Sequence, residues 1–94
     1  MMTETIKKKA GDRLRRIEGQ IAGIRRMVEE DRYCVDILTQ TSAAVSALRG
    51  LEDFVMQNHL NTCVADAIRS EDSAQQQEKI DEVMSVIGKF RKHG

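Results

Sequence analysis

Between residues 34 and 59 the apolar or ligand-capable positions are Cys34, Leu38, Val45, Leu48, Val55 and His59, at spacings of 4, 7, 3, 7 and 4. The series reads the same in both directions. On a helix, steps of three, four and seven residues stay on one face. A face that is its own reverse is what an antiparallel two-fold pairing of identical helices requires. The centre of symmetry falls between Ser46 and Ala47, in a run of small residues (Thr41, Ser42, Ala43, Ala44, Ser46, Ala47) that lets two helices approach closely. In this register Leu38 meets Val55 and Val45 meets Leu48. Thr41 meets Glu52, a polar break in the seam.

The same register has a chemical consequence. Cys34 and His59 are 25 residues apart, roughly 37 Å along an unbroken helix. No metal ion bridges that gap within one chain. His59 and Cys63 are four residues apart and share a helical face. An antiparallel partner therefore brings Cys34 of one chain beside His59 and Cys63 of the other.

The rest of the chain supports an all-α reading. Its 94 residues contain no proline and only three aromatics, Tyr33, Phe54 and Phe90. Helix formers dominate, and few runs look like strands. The length fits one domain over 1–94, with a modest core for which oligomerisation is a common remedy. A first helix is expected from about Thr3, with Ile6, Ala10, Leu14, Ile17, Ile21, Ile24 and Val28 on its apolar face. Gly11, Gly19 and Gly23 weaken it, and close packing would explain them. Asp31 is the expected N-cap of a second helix running to about Arg69, through Gly50. Ser70-Glu71-Asp72 reads as a turn, and Ser73 with Gln76 as a capping box for a third helix. Ile80, Val83, Met84, Ile87 and Phe90 form that helix's apolar face, and residues 91–94 are expected to fray.

Net charge is zero but unevenly spread. Residues 1–26 hold eight Lys/Arg against three Asp/Glu, residues 27–82 four against twelve, and residues 83–94 three against none. Basic ends flanking an acidic middle suggest a polyanionic partner. The basic candidates on the first helix are Lys8, Lys9, Arg13, Arg15 and Arg16, with Lys89, Arg91 and Lys92 extending the patch. The plain alternative is a solvated helix face paired with Glu18, Glu29 and Glu30. No apolar run reaches the ~18 residues of a membrane span. The lysine-rich N-terminus has no apolar signal core, so two cysteines without an export signal fit a reducing cytoplasm.

Two thiolates and one imidazole form a soft donor set that favours Cu(I) and also binds Zn(II). Three donors suit Cu(I). Structural Zn(II) wants a fourth ligand, for which Glu82 or water could serve. Without a second histidine in the first helix, Ni(II) and Co(II) are disfavoured. The bland alternative is that both cysteines are small buried hydrophobes. His93 belongs to the basic tail.

The stretches Arg13-Leu14-Arg15-Arg16-Ile17-Glu18-Gly19-Gln20, Tyr33-Cys34-Val35-Asp36-Ile37-Leu38 and Asn58-His59-Leu60-Asn61-Thr62-Cys63 resemble the copper-sensitive operon repressor family, CsoR/RcnR, over nearly the whole chain. Cys34, His59 and Cys63 match its copper(I)-sensing branch. The nickel/cobalt, formaldehyde and persulfide branches each alter that set. The resemblance implies a three-helix protomer, an antiparallel four-helix-bundle homodimer and a dimer of dimers. It implies one Cu(I) per protomer bridging two chains. Tyr33 and Glu82 correspond to the pair that holds the histidine by hydrogen bonds, with Glu78 the other candidate carboxylate. DNA contacts fall on Arg13, Arg15 and Arg16, with Arg49 as a second contributor.

The expected function is a cytoplasmic, non-enzymatic repressor. It binds operator DNA without metal and leaves it when Cu(I) binds, releasing genes of copper export or resistance. Competing readings are a repressor of the same family sensing another metal or a reactive electrophile or sulfur species, a copper buffer or chaperone that binds no DNA, and a bland helical oligomerisation module. An enzyme with Cys34 as nucleophile would need His59 as base across the interface, and no oxyanion-hole glycine motif is present.

Overall fold

The computed structural model describes residues 2–69 and 72–93, with the side chains at 63, 64, 67 and 90–93 outside the described set. Its elements are α1 (Glu4–Glu29), α2 (Cys34–His59), a π-helical segment (Leu60–Val64), α3 (Ala65–Arg69) and α4 (Ser73–His93). Because α2, the π segment and α3 follow one another directly, the described residues form three helical rods and no strand. Among them no helix is long and apolar enough to cross a membrane. The chain divides into two compact units, 2–55 and 56–94, with the boundary inside α2.

In the unit 2–55, Thr3 caps α1: its hydroxyl accepts from the Ile6 amide at 3.2 Å, satisfying one of the four open amides of the first turn. Ala10 and Ile17 on α1 and Ala44 on α2 are its buried apolar residues. Gly11 and Gly19 have nothing within 4 Å of where a Cβ would stand, so no neighbour among the described residues explains their smallness.

The corner after α1 differs from the expectation. Asp31 does not cap α2. It has φ 54°, the left-handed conformation. The Arg32 amide donates to the Met27 carbonyl (2.9 Å) and the Asp31 amide to the Val28 carbonyl (3.2 Å). This is a Schellman closure of α1 with Asp31 at the position glycine normally takes. Aspartate is among the few residues that visit this region readily. The second helix starts later, with the Tyr33 carbonyl accepting from the Asp36 and Ile37 amides.

In the unit 56–94 the expected unbroken α-helix to Arg69 is interrupted by the π segment. Within it the Thr62 hydroxyl donates to the Asn58 carbonyl at 2.9 Å. A hydroxyl bonded back to i−4 perturbs α winding and supplies a donor where the ladder changes register. The π segment, α3 and α4 pack on one another, and Gln76 Nε2 donates to the Ile68 carbonyl at 3.3 Å. Asp72, not Ser73, caps α4: its carboxylate accepts from the Ala74 amide at 2.9 Å. Ser70 and Glu71 of the expected turn lie outside the described residues. Of the apolar face forecast for α4, Val83 is buried, while Ile80 and Met84 are exposed. The Phe90 side chain is outside the described set. The helix continues to His93 rather than ending before 91.

Candidate metal centre and nucleic-acid face

His59 ends α2, and its side chain is anchored from α4. His59 Nε2 lies 3.4 Å from Glu82 Oε1, with the two side chains 32 % and 44 % exposed. The other carboxylate oxygen, Oε2, is 3.4 Å from Lys79 Nζ, one helical turn earlier on α4. A carboxylate on one ring nitrogen fixes the ring's orientation and leaves Nδ1 as the atom suited to ligation. Of the two candidate carboxylates, Glu82 is the one brought to His59. Glu78 lines a polar depression with Asp66, Gln75 and Lys79. Lys79 was not singled out from the sequence, although its i,i+3 spacing to Glu82 was a usable signal.

Cys34, the first residue of α2, is an exposed free cysteine. Tyr33 beside it has an exposed side chain. Cys63 lies in the π segment, and its side chain is outside the described residues. Among the described residues, no three of His, Cys, Asp and Glu gather around a common point in one chain. The exposed Cys34 thiol and the oriented His59 imidazole are soft and borderline donors, a set that fits Cu(I). Leu38, Val45, Leu48 and Val55, the four apolar members of the palindromic series, are all exposed in the single chain, Leu38 by 64 %.

The basic residues of α1 divide into two groups. The Arg13 guanidinium lies over the Phe54 ring of α2, 5.1 Å from its centroid. The open space above Gly50 admits it, since a Cβ there would stand 3.4 Å from Arg13 Nη1. Arg15, Arg16 and Lys8 instead converge on Asp12. Arg15 Nη1 is 3.3 Å from Asp12 Oδ1, Lys8 Nζ is 3.3 Å from Asp12 Oδ2, and Arg16 Nε donates to the Asp12 carbonyl at 3.4 Å. The carboxylate that meets the cluster is therefore Asp12, not Glu18, Glu29 or Glu30. Lys9, Arg49 and Lys89 are exposed. The side chains of Arg91 and Lys92 are outside the described residues.

The chain is 49 % identical over 81 residues to the copper-sensing transcriptional repressor CsoR of Bacillus subtilis, covering 86 % of this chain and 77 % of that one. The crystal structure of the copper-sensing repressor CsoR with Cu(I) from Geobacillus thermodenitrificans matches with a TM-score of 0.83 and 41 % identity, over 97 % of this chain and 92 % of that one. A variant of the formaldehyde-responsive regulator FrmR from Salmonella enterica serovar Typhimurium matches with a TM-score of 0.75 and 26 % identity, over 96 % and 99 % of the two chains. The family model for metal-sensitive transcriptional repressors spans residues 6–89. This chain belongs to the metal-sensitive transcriptional repressor family, a family of regulators and not of enzymes.

Proposed function

We propose that this protein is a copper(I)-responsive repressor. It binds operator DNA in the metal-free state and leaves it when Cu(I) is bound, releasing genes for copper export or resistance. The observation that carries the reading is the His59–Glu82 contact. It orients an imidazole beside a cysteine-bearing segment, at one end of a helix whose other end presents an exposed thiol. The copper-sensing relatives support the choice of metal.

In this reading Cys34 of one chain and His59 with Cys63 of the other hold one Cu(I) per protomer, using soft donors and low coordination. The exposed seam Leu38, Val45, Leu48 and Val55 is covered by its own copy in an antiparallel homodimer, and two dimers form the homotetramer. Tyr33 joins Glu82 in steadying His59. Glu82 ties the end of α2 to α4, so a change at the imidazole is felt by both elements. Lys8, Lys9, Arg13, Arg15 and Arg16, with Arg49, meet DNA phosphates, and the protein acts in the cytoplasm as one domain. Metal and DNA oppose each other through a coupling free energy that is reciprocal by necessity.

The exposed Cys34 thiol also favours a second reading within the same class, in which a reactive electrophile or sulfur species modifies it. One experiment separates the two. Operator affinity is measured with and without Cu(I) held by a strong chelator, for the parent and for His59→Ala. The proposal expects apo binding to survive in His59→Ala and the copper-induced release to disappear. Full release of His59→Ala by copper defeats the coupling route. Parent protein that never takes copper from the chelator favours the thiol-modification reading.

A further inference from the structure

Three cations of α1 share one aspartate. Asp12 is the inner member of the group: its side chain is 37 % exposed, against 76 % for both Lys8 and Arg15. Its two carboxylate oxygens each take one cation, and its backbone carbonyl takes Arg16 Nε. Pairs of this kind on an exposed helix face add little to stability. Their effect falls on what the cations do next.

A phosphate approaching this face meets cations that are already engaged. Lys8 and Arg15 must share themselves between phosphate and carboxylate. Arg16 is held through Nε on the Asp12 backbone carbonyl. Sequence-independent DNA binding is almost purely a matter of cation number and counterion release. A carboxylate inside the cluster weakens that mode directly. Specific binding also depends on where each cation sits, because phosphate contacts set the register from which base edges are read. The same carboxylate fixes those positions. Losing it adds attraction to any DNA while loosening the arrangement that suits one sequence.

We infer that Asp12 is a specificity-determining residue: its carboxylate holds Lys8 and Arg15 in one arrangement on α1, beside Arg16 on its backbone carbonyl, and suppresses binding to DNA in general. This rests on the DNA-binding reading above. Arg13, which lies over Phe54, is outside this Asp12 group.

The test uses the full-length protein and two duplexes of equal length, one selected by the parent protein from a random pool and one scrambled. Affinities are measured at two salt concentrations for the parent, Asp12→Asn, Asp12→Glu and Arg15→Gln, with Asp12→Ser as a second uncharged variant. Asp12→Asn is expected to bind the scrambled duplex about threefold to tenfold more tightly at low salt, with a steeper salt dependence. Its preference for the selected duplex falls by at least about threefold. Asp12→Glu keeps the charge at a spacing that still reaches the same cations, and restores the preference. Thermal unfolding and copper uptake stay as in the parent. If Arg15→Gln weakens DNA binding but both uncharged variants keep the full preference, the role of Asp12 is overturned and DNA binding stands. If selection yields no preferred duplex, or Arg15→Gln binds both duplexes as the parent does, the DNA reading fails and this inference with it.

Discussion

The two units of the chain use polar side chains differently. In 2–55 the ion pairs of α1 are local, and what reaches from α1 to α2 is a cation over a ring, Arg13 on Phe54. Lys8, Asp12, Arg15 and Arg16 all lie within about two turns of one helix, and Lys7 reaches Glu4 at 3.7 Å one turn away. In 56–94 they also join separate elements: His59 at the end of α2 to Glu82 on α4, and Gln76 on α4 to the Ile68 carbonyl on α3. A local cluster changes the surface of a helix and leaves its backbone where it was. A contact between elements changes what holds them together. The first suits a face that meets a polyanion, and the second suits a place where a bound ion is turned into movement.

Three substitutions test that contrast, in order of expected effect. Leu38→Glu places a charge on the exposed apolar seam and is expected to remove both functions. The protein should sediment as a monomer at micromolar concentration, with copper and operator affinities each lower by at least about a hundredfold, as expected when an uncompensated charge is buried in an interface core. A dimer that survives this change refutes the palindromic pairing. Glu82→Gln should strike the 56–94 side alone. Apo operator binding stays near the parent value, while copper affinity or copper-induced release weakens by about tenfold, the usual consequence of losing a carboxylate behind a ligating histidine. Equal losses in metal-free DNA binding would erase the distinction between the units. Asp31→Gly is the smallest change and belongs to 2–55. Glycine adopts the left-handed corner without steric cost, so the variant should be more stable by about 0.5 kcal/mol. For a chain of this size that raises Tm by about 2–4 °C, with copper and DNA responses untouched.

The same contrast decides what was legible in the sequence. Patterns of short range were readable. The start of α1 near Thr3, its apolar face and the convergence of cations on one stretch all follow from residues three or four apart. Asp12 stands at i+4 from Lys8 and at i−3 and i−4 from Arg15 and Arg16, a spacing that already permits these contacts. Asp31 was misplaced for a physical reason: aspartate suits both an N-cap and a left-handed corner, and only the backbone distinguishes them. Asp72 and Ser73 are adjacent residues that both cap well, which shifted the start of α4 by one position. The π segment leaves no mark on apolar periodicity. The choice between Glu82 and Glu78 depends on how α4 lies against the end of α2, which no local pattern encodes. The palindromic series was read inside a helix running on to about Arg69, whereas α2 begins at Cys34 and gives way to the π segment after His59.

Gly11 and Gly19 carry a further consequence. Each sits in the interior of α1 with open space where a side chain would be, and each makes that helix less stable by about 1 kcal/mol than alanine would. Among the described residues no neighbour stands within 4 Å of either position. A partner helix packed against these positions in the proposed assembly would return what the glycines cost. The lone protomer is then an unfinished object, weaker than its composition allows, and its stability is settled only when it has company.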